Sequence, residues 1–115
     1  MCGIAGIYHL ETPKPVDPAR VEAMCDAIAH RGPDGQGIWT APGVGLGHRR
    51  LSIIDLEGSP QPMASLDGRA MLVFNGEIYN FQELRRELAA EGAVFRTEGD
   101  SEVILAAWQR WGPEC

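Results

Sequence analysis

Short apolar runs, each bounded by glycine, proline or an Asp-Gly pair, constrain the fold of this chain more than any other feature of its sequence. Runs of this length that are rich in β-branched residues are typical of buried strands. The sequence predicts strands at Gly3–Tyr8, Gly37–Thr40, Val44–His48 and Ala70–Phe74, with one more short strand at Val94–Phe95. The run Ala70–Phe74 is expected to be a central strand, and tight turns are expected at Pro42-Gly43 and Asp67-Gly68.

Three helical patterns alternate with these runs. Asp17 and Pro18 open the first helix as N-cap and first helical residue. Asn80 and Glu83 form a capping-box-like start for the second, and the third begins at residue 100 or 101. The expected apolar stripes are Val21, Met24, Cys25 and Ile28 in the first helix, and Ile104, Ala107, Trp108 and Trp111 in the third. Strands and helices of this kind pack as layers of an α+β domain.

Composition narrows the class of protein only moderately. Of 115 residues, 44% are hydrophobic and 23% charged, which is typical of a folded globular domain rather than a disordered chain. The net charge of -6 argues against nucleic acid or an anionic membrane as the main partner. The first apolar run has no preceding basic residue and is too short for a signal peptide or a membrane span, which predicts a cytoplasmic protein.

The three cysteines are odd in number and far apart, and no histidine lies near any of them in the sequence. This spacing supports neither a disulfide framework nor a zinc site, so no metal ligands are expected. Cys25 falls within a helical apolar stripe, which predicts a packed core thiol. Only Cys2 occupies an unusual position.

Removal of Met1 would make Cys2 the N-terminal residue, with a thiol and a free α-amino group on neighbouring carbons. Both groups exchange protons near neutral pH, so the amine can accept the thiol proton and later return it to leaving ammonia. A nucleophile of this kind needs no histidine and no aspartate. A cysteine at position two is by itself a weak indication of a catalytic residue, because such a cysteine more often occurs by chance.

Asn75-Gly76-Glu77 directly follows a run expected to be a buried strand. Amide hydrolysis passes through a tetrahedral oxyanion, which the side-chain amide of Asn75 and the backbone N–H of Gly76 can stabilise together. A simple Asn-Gly turn between strands is the commoner explanation of such a pair. The two interpretations are compatible.

Charged residues that suit a zwitterionic substrate lie elsewhere in the chain. Arg49 and Arg50 follow the strand that ends at His48, and a guanidinium grips a carboxylate with two hydrogen bonds. Asp100 is a candidate partner for an ammonium group, with Glu77 as helper. Taken singly, the arginines suit a solvated surface pair, and Asp100 suits a plain helix N-cap.

Five strings, in order along nearly the whole chain, resemble the class II glutamine amidotransferases, and most closely the asparagine synthetase branch. The strings are Met1–Gly6, His30–Gly35, His48–Asp55, Asn75–Asn80 and Gly99–Ile104. The resemblance implies the four-layer αββα fold of the N-terminal-nucleophile hydrolases. It also implies that residues 1–115 are the N-terminal part of a type 2 glutamine amidotransferase domain, incomplete at its C-terminus.

The resemblance further implies a role for each matching residue. Cys2 would be the nucleophile, and Asn75 and Gly76 would form the oxyanion hole. Arg50, rather than Arg49, would hold the substrate carboxylate, and Asp100 would bind the ammonium. The other residues expected to line the glutamine pocket are Leu51, Ile53, Ile54 and Glu77.

In the family, ammonia passes to a second, C-terminal domain, which uses ATP and magnesium to activate aspartate. No part of these 115 residues matches that synthetase domain or a cofactor site, so both cofactors are expected outside this segment. The expected partners are glutamine, the synthetase domain and a second copy of the chain in a homodimer. A glutaminase that serves a different acceptor, such as a sugar or a polysaccharide-modifying system, and a non-catalytic remnant stay open as alternatives.

Overall fold

The computed structural model describes residues 1–53 and 58–115, which form two compact units. The first unit comprises Met1–Ser52, Pro60–Pro62 and Val73–Gly76. The second unit comprises Met63–Leu72 and Glu77–Cys115, together with the described residues of segment 53–59. The strands and helices of the two units confirm the predicted α+β class. The four-layer arrangement and the incomplete C-terminus stay predictions.

An antiparallel three-stranded sheet organises the first unit. Its strands are β1 (Gly3–Tyr8), β2 (Gly35–Ala41) and β3 (Val44–Arg50), in the order β1-β3-β2. Both predicted strands of the β2–β3 hairpin are confirmed, and each is longer than expected. Gly43 has a φ of 80° in the tight connection, a conformation that glycine adopts without steric cost.

Helix α1 (Pro18–Ala27) packs on one face of this sheet. As predicted, Asp17 caps it: a carboxylate oxygen accepts a hydrogen bond from the Ala19 N–H at 3.0 Å. Val21 and Cys25 are fully buried against β3, and burial raises the pKa of the Cys25 thiol. The prediction of a packed core thiol is therefore confirmed.

Glycines in β3 let α1 approach the sheet closely. A Cβ atom at Gly47 would lie 2.4 Å from Sγ of Cys25 and 2.9 Å from a Val21 methyl carbon. Neither distance leaves room for a methyl group, so glycine at this position is a packing requirement.

Replacement of Gly47 by alanine should therefore destabilise the chain. Overpacking of this kind costs about 1–3 kcal/mol, which denaturant unfolding would measure as a lower midpoint. Gly35→Ala is the matched control in the same sheet, because its added Cβ would lie 3.7 Å from the nearest atom, an ordinary contact. Equal stability of the Gly47→Ala variant and the parent would contradict this account of the packing.

The second unit packs two helices around a small core and includes a hairpin. Strands β4 (Met63–Ala64) and β5 (Met71–Leu72) are joined by the predicted turn at Asp67-Gly68, where Gly68 has a φ of 70°. Helices α2 (Phe81–Ala90) and α3 (Ser101–Trp111) follow. Their core consists of Leu88, Val103, Ala106 and Ala107, with Phe81, Leu84, Ala93, Phe95 and Trp111 packed against it.

The prediction of a central strand over residues 70–74 is wrong. Only Met71 and Leu72 lie in a strand, and that strand belongs to the two-stranded hairpin. Side chains bind the Phe74 backbone instead: its N–H donates to Oε1 of Gln61 at 2.6 Å, and its carbonyl lies 3.1 Å from Nε2 of His48. A strand cannot continue where side chains occupy the backbone groups that a neighbouring strand would bind.

Three local predictions in the second unit also differ from the structure. Val94 and Phe95 form no strand. Asn80 precedes α2 as expected, but its side chain does not cap the helix. On α3, Val103 and Ala106 join Ala107 in the core, whereas Trp108 is 47% exposed. The buried stripe is thus rotated from the predicted one, because the helix turns its small residues toward α2.

Within the described residues, no helix is long and apolar enough to cross a membrane.

Candidate active site

Cys2 lies immediately before β1, at the end of the sheet where β3 ends. Its sulfur accepts a hydrogen bond from the Leu51 N–H at 3.3 Å, and the thiol can donate to the Leu51 carbonyl at 3.5 Å. The pairing of Gly3 with Arg49 brings these atoms together across 49 positions of sequence. A backbone N–H directed at sulfur can stabilise negative charge as it develops there.

Residues of the His30–Gly35 string hold this end of the sheet. Arg31 Nε donates to the carbonyl of Cys2 at 3.1 Å. Asp34 accepts from the Ser52 N–H at 2.8 Å, and its own N–H donates to the Arg50 carbonyl at 2.9 Å. These bonds fix the backbone on both sides of Leu51, the residue that contacts the sulfur.

The two neighbouring arginines have different surroundings. Arg49 Nε donates to the Gly32 carbonyl at 3.1 Å, and its guanidinium also binds the side chain of Gln36. Because side chains alternate along a strand, Arg50 lies on the opposite face of β3, the face that also carries His48. Arg49 therefore has a structural role at this end of the sheet. The role of Arg50 itself stays a prediction.

Asn75 and Gly76 also belong to the first unit, directly after Phe74. Gly76 does not have the left-handed backbone of Gly43 and Gly68, and no strand follows it among residues 77–115. A hairpin turn of the Asn-Gly type is therefore excluded at this position. Gly76 is exposed and Asn75 is half-buried, so both donors lie near the surface of the unit.

His48 fixes the backbone that leads into Asn75. Its side chain is 1% exposed, and because a carbonyl only accepts, Nε2 must carry the proton that bonds to Phe74. Burial lowers the pKa of His48; the bond to the Phe74 carbonyl opposes this shift, and the charge of Arg50 adds to it. His48 is therefore a neutral donor at physiological pH.

Asp100 and Glu77 belong to the second unit. Asp100 is buried at the start of α3, but its side chain does not cap that helix. Instead, its Oδ2 accepts from the Ile78 N–H at 2.9 Å, directly after the exposed Glu77. The plain N-cap interpretation of Asp100 is therefore wrong.

The remaining expected pocket residues are Ile53 and Ile54. Ile53 is 59% exposed. Ile54 lies outside the described residues. Among the described residues of this stretch, Leu51 contacts the Cys2 sulfur.

For several residues that bind backbone groups around the candidate site, the local sequence does not reveal these contacts. The strings that carry the family resemblance include Arg31, Asp34 and His48. The resemblance singles out these strings but does not predict which atoms the three residues contact. Gln61 lies in a loop-like stretch and shows its role only through the bond to Phe74.

The state of His48 predicts a pH dependence of stability. An unfolded histidine binds a proton near pH 6.5, whereas buried His48 stays neutral to lower pH, so the unfolded chain gains protons first as the pH falls. The free energy of unfolding should therefore decrease from pH 7 toward pH 5, by at most about 1.4 kcal/mol per pH unit.

Denaturant unfolding at a series of pH values would measure this slope. His48→Gln should abolish the slope, and His30→Gln, at an exposed position, should retain it. A slope that persists in His48→Gln would assign the proton uptake to another group.

Comparison with known proteins shows the family of this chain. The family model of the glutamine amidotransferase domain matches residues 1–115, and the chain belongs to this family. It is 42% identical over 117 residues to asparagine synthetase [glutamine-hydrolyzing] 1 of Bacillus subtilis (strain 168) and covers 18% of that protein. It is 39% identical over 114 residues to asparagine synthetase B [glutamine-hydrolyzing] of Escherichia coli (strain K12), covering 20% of it. All or nearly all of this chain aligns in both cases (100% and 99%).

Proposed function

We propose that this chain is the glutaminase part of an asparagine synthetase-like amidotransferase, in which Cys2 releases ammonia from glutamine. The observation that carries the proposal is the position of the Cys2 sulfur, 3.3 Å from the N–H of Leu51, the residue that follows Arg50 at the end of β3. Membership of the glutamine amidotransferase domain family supports the same chemistry.

The reaction begins once Met1 is removed. Met1 is 66% exposed, so packing does not protect it from an aminopeptidase. The freed α-amine of Cys2 takes the thiol proton, and the sulfur attacks the amide carbon of glutamine. The resulting oxyanion accepts hydrogen bonds from the Asn75 side chain and the Gly76 N–H.

Collapse of this intermediate breaks the carbon–nitrogen bond and leaves a thioester on Cys2. The α-amine returns its proton to the departing nitrogen, which leaves as ammonia. Water then attacks the thioester, and glutamate is released with the thiol restored.

Substrate recognition uses charge complementarity to a zwitterion. In this proposal Arg50 binds the α-carboxylate with its planar fork, and Asp100 binds the α-ammonium with Glu77 beside it. Leu51, Ile53 and Ile54 border the pocket. The proposal includes the four-layer N-terminal-nucleophile hydrolase fold.

Ammonia would then serve an acceptor activated elsewhere. The chain spans about a fifth of the length of the asparagine synthetases that it matches, 18% and 20% in the two cases given above. We propose aspartate as the acceptor, activated with ATP and magnesium by a synthetase domain, in the cytoplasm.

Labelling with a glutamine-like electrophile tests the nucleophile. The adduct should map to Cys2 by mass spectrometry, and glutamine should slow its formation. Cys115 is an internal control for general thiol reactivity because it is exposed, whereas Cys25 is buried. An adduct on either of these cysteines instead of Cys2, or an active preparation that retains Met1, would refute the assignment.

Asn75→Ala tests the oxyanion hole. Loss of one such donor lowers kcat by about 10²–10³-fold, and the KM for glutamine should change little because the donor acts mainly on the oxyanion. Asn80→Ala is the matched control, since Asn80 is exposed and its side chain does not cap α2. Steady-state ammonia release measures both variants, and an unchanged kcat in Asn75→Ala would remove this residue from the mechanism.

A further inference from the structure

The segment Arg96–Gly99, directly before Asp100, is ordered without helix or strand. Two side chains bind its backbone from the helices on either side of it in sequence. Glu102 comes from α3, and Arg85 comes from α2. Polar backbone groups that lack secondary structure must bind other partners, and here charged side chains replace the ladder of a sheet.

Glu102 binds the first half of the segment. Its carboxylate is buried and accepts from the Arg96 N–H at 2.9 Å, the Thr97 N–H at 2.8 Å and the Thr97 hydroxyl at 2.8 Å. Burial alone would raise the pKa of Glu102, but hydrogen bonds from Arg96 and Thr97 outweigh it and lower the pKa overall. Every partner is a donor, so only the ionised carboxylate satisfies the cluster.

Arg85 binds the second half. Its Nη1 donates to the Thr97 carbonyl at 2.7 Å, and its Nη2 donates to the Gly99 carbonyl at 2.7 Å. The guanidinium also lies over the Phe95 ring, 4.4 Å from its centre. Two parallel bonds from one planar group fix both the position and the orientation of the backbone between residues 97 and 99.

The next residue along the chain is Asp100. The Gly99 carbonyl is held by Arg85, and Oδ2 of Asp100 accepts from the Ile78 N–H at 2.9 Å, so main chain and carboxylate are both restrained. Arg85 also keeps a buried Nε atom without a hydrogen-bond partner within the described residues, which is unfavourable for stability.

We propose that Glu102 and Arg85 are positioning residues that set the Asp100 carboxylate for the α-ammonium group of glutamine. This inference rests on the function proposed above. It adds that recognition of the ammonium depends on two side chains that do not touch substrate. Displacement of the segment by a few tenths of an ångström would weaken binding of the ammonium and leave binding at the carboxylate end unchanged.

Comparison of two substrates in the full chain separates positioning from general stabilisation. Glutaramate is glutamine without the α-ammonium, and it retains the reacting amide and the carboxylate. The measured quantity is the ratio of kcat/KM for glutamine to kcat/KM for glutaramate. Partial unfolding lowers both values equally and leaves the ratio unchanged, so the ratio reports recognition of the ammonium alone.

Glu102→Gln retains the side-chain volume but places an NH₂ group opposite backbone donors. We expect the ratio to fall by roughly 10- to 100-fold, the factor expected for loss of a hydrogen bond between charged groups, chiefly through KM for glutamine. Arg85→Lys retains the charge and loses the fork, so its ratio should fall as well. Glu87→Gln and Arg86→Lys are matched controls at exposed positions of α2 and should keep the parental ratio.

Asp100→Asn provides the reference. If the ratio of Asp100→Asn equals that of the parent, Asp100 does not bind the ammonium, and that part of the proposed function fails. If the ratio falls strongly in Asp100→Asn while Glu102→Gln and Arg85→Lys keep the parental ratio, Asp100 binds the ammonium. The positioning role of Glu102 and Arg85 is then overturned. Should Glu102→Gln not fold, Arg85→Lys decides alone, because the ratio needs only a folded fraction.

Discussion

The pairing of β3 with both of its neighbours is the constraint on which the first unit depends. Antiparallel pairing places the starts of β1 and β2 beside the end of β3, with Gly3 opposite Arg49 and Gly35 opposite Arg50. Residues just outside these strands therefore meet at one end of the sheet, where Cys2 contacts Leu51. A shift of one residue in either register would turn every side chain of that strand to the other face.

Side-chain hydrogen bonds to backbone groups, rather than regular secondary structure, hold the segments that contain or precede the proposed site residues Asn75 and Asp100. In the first unit, Asp34 accepts from the Ser52 N–H, Gln61 accepts from the Phe74 N–H, and His48 donates to the Phe74 carbonyl. In the second, Glu102 and Arg85 do the same for the segment before Asp100. Functional residues lie on such irregular segments because a helix or strand would commit their backbone donors to itself.

Predictions from the sequence succeeded where the deciding interactions are local. The β2–β3 hairpin follows from two apolar runs around Pro42-Gly43, and α1 follows from the capping residue Asp17. The run from residue 70 to 74 has the same composition as a central strand, yet only Met71 and Leu72 find a strand partner. Composition describes how well a segment suits a sheet, whereas pairing depends on which groups lie beside the segment. Here the groups beside the Phe74 backbone come from Gln61 and His48, 13 and 26 positions away.

For this protein the sequence by itself determined the residue types required for the chemistry, the α+β class and the family. The chain contains a thiol at position two, an Asn-Gly pair and two adjacent arginines, and folding does not change these features. Only the tertiary structure decided three hydrogen bonds. The Leu51 N–H donates to the Cys2 sulfur, Arg49 donates to the Gly32 carbonyl, and Asp100 accepts from the Ile78 N–H instead of capping its helix. Each of these contacts joins groups 17 or more positions apart in the sequence, so packing energy rather than local propensity selects it.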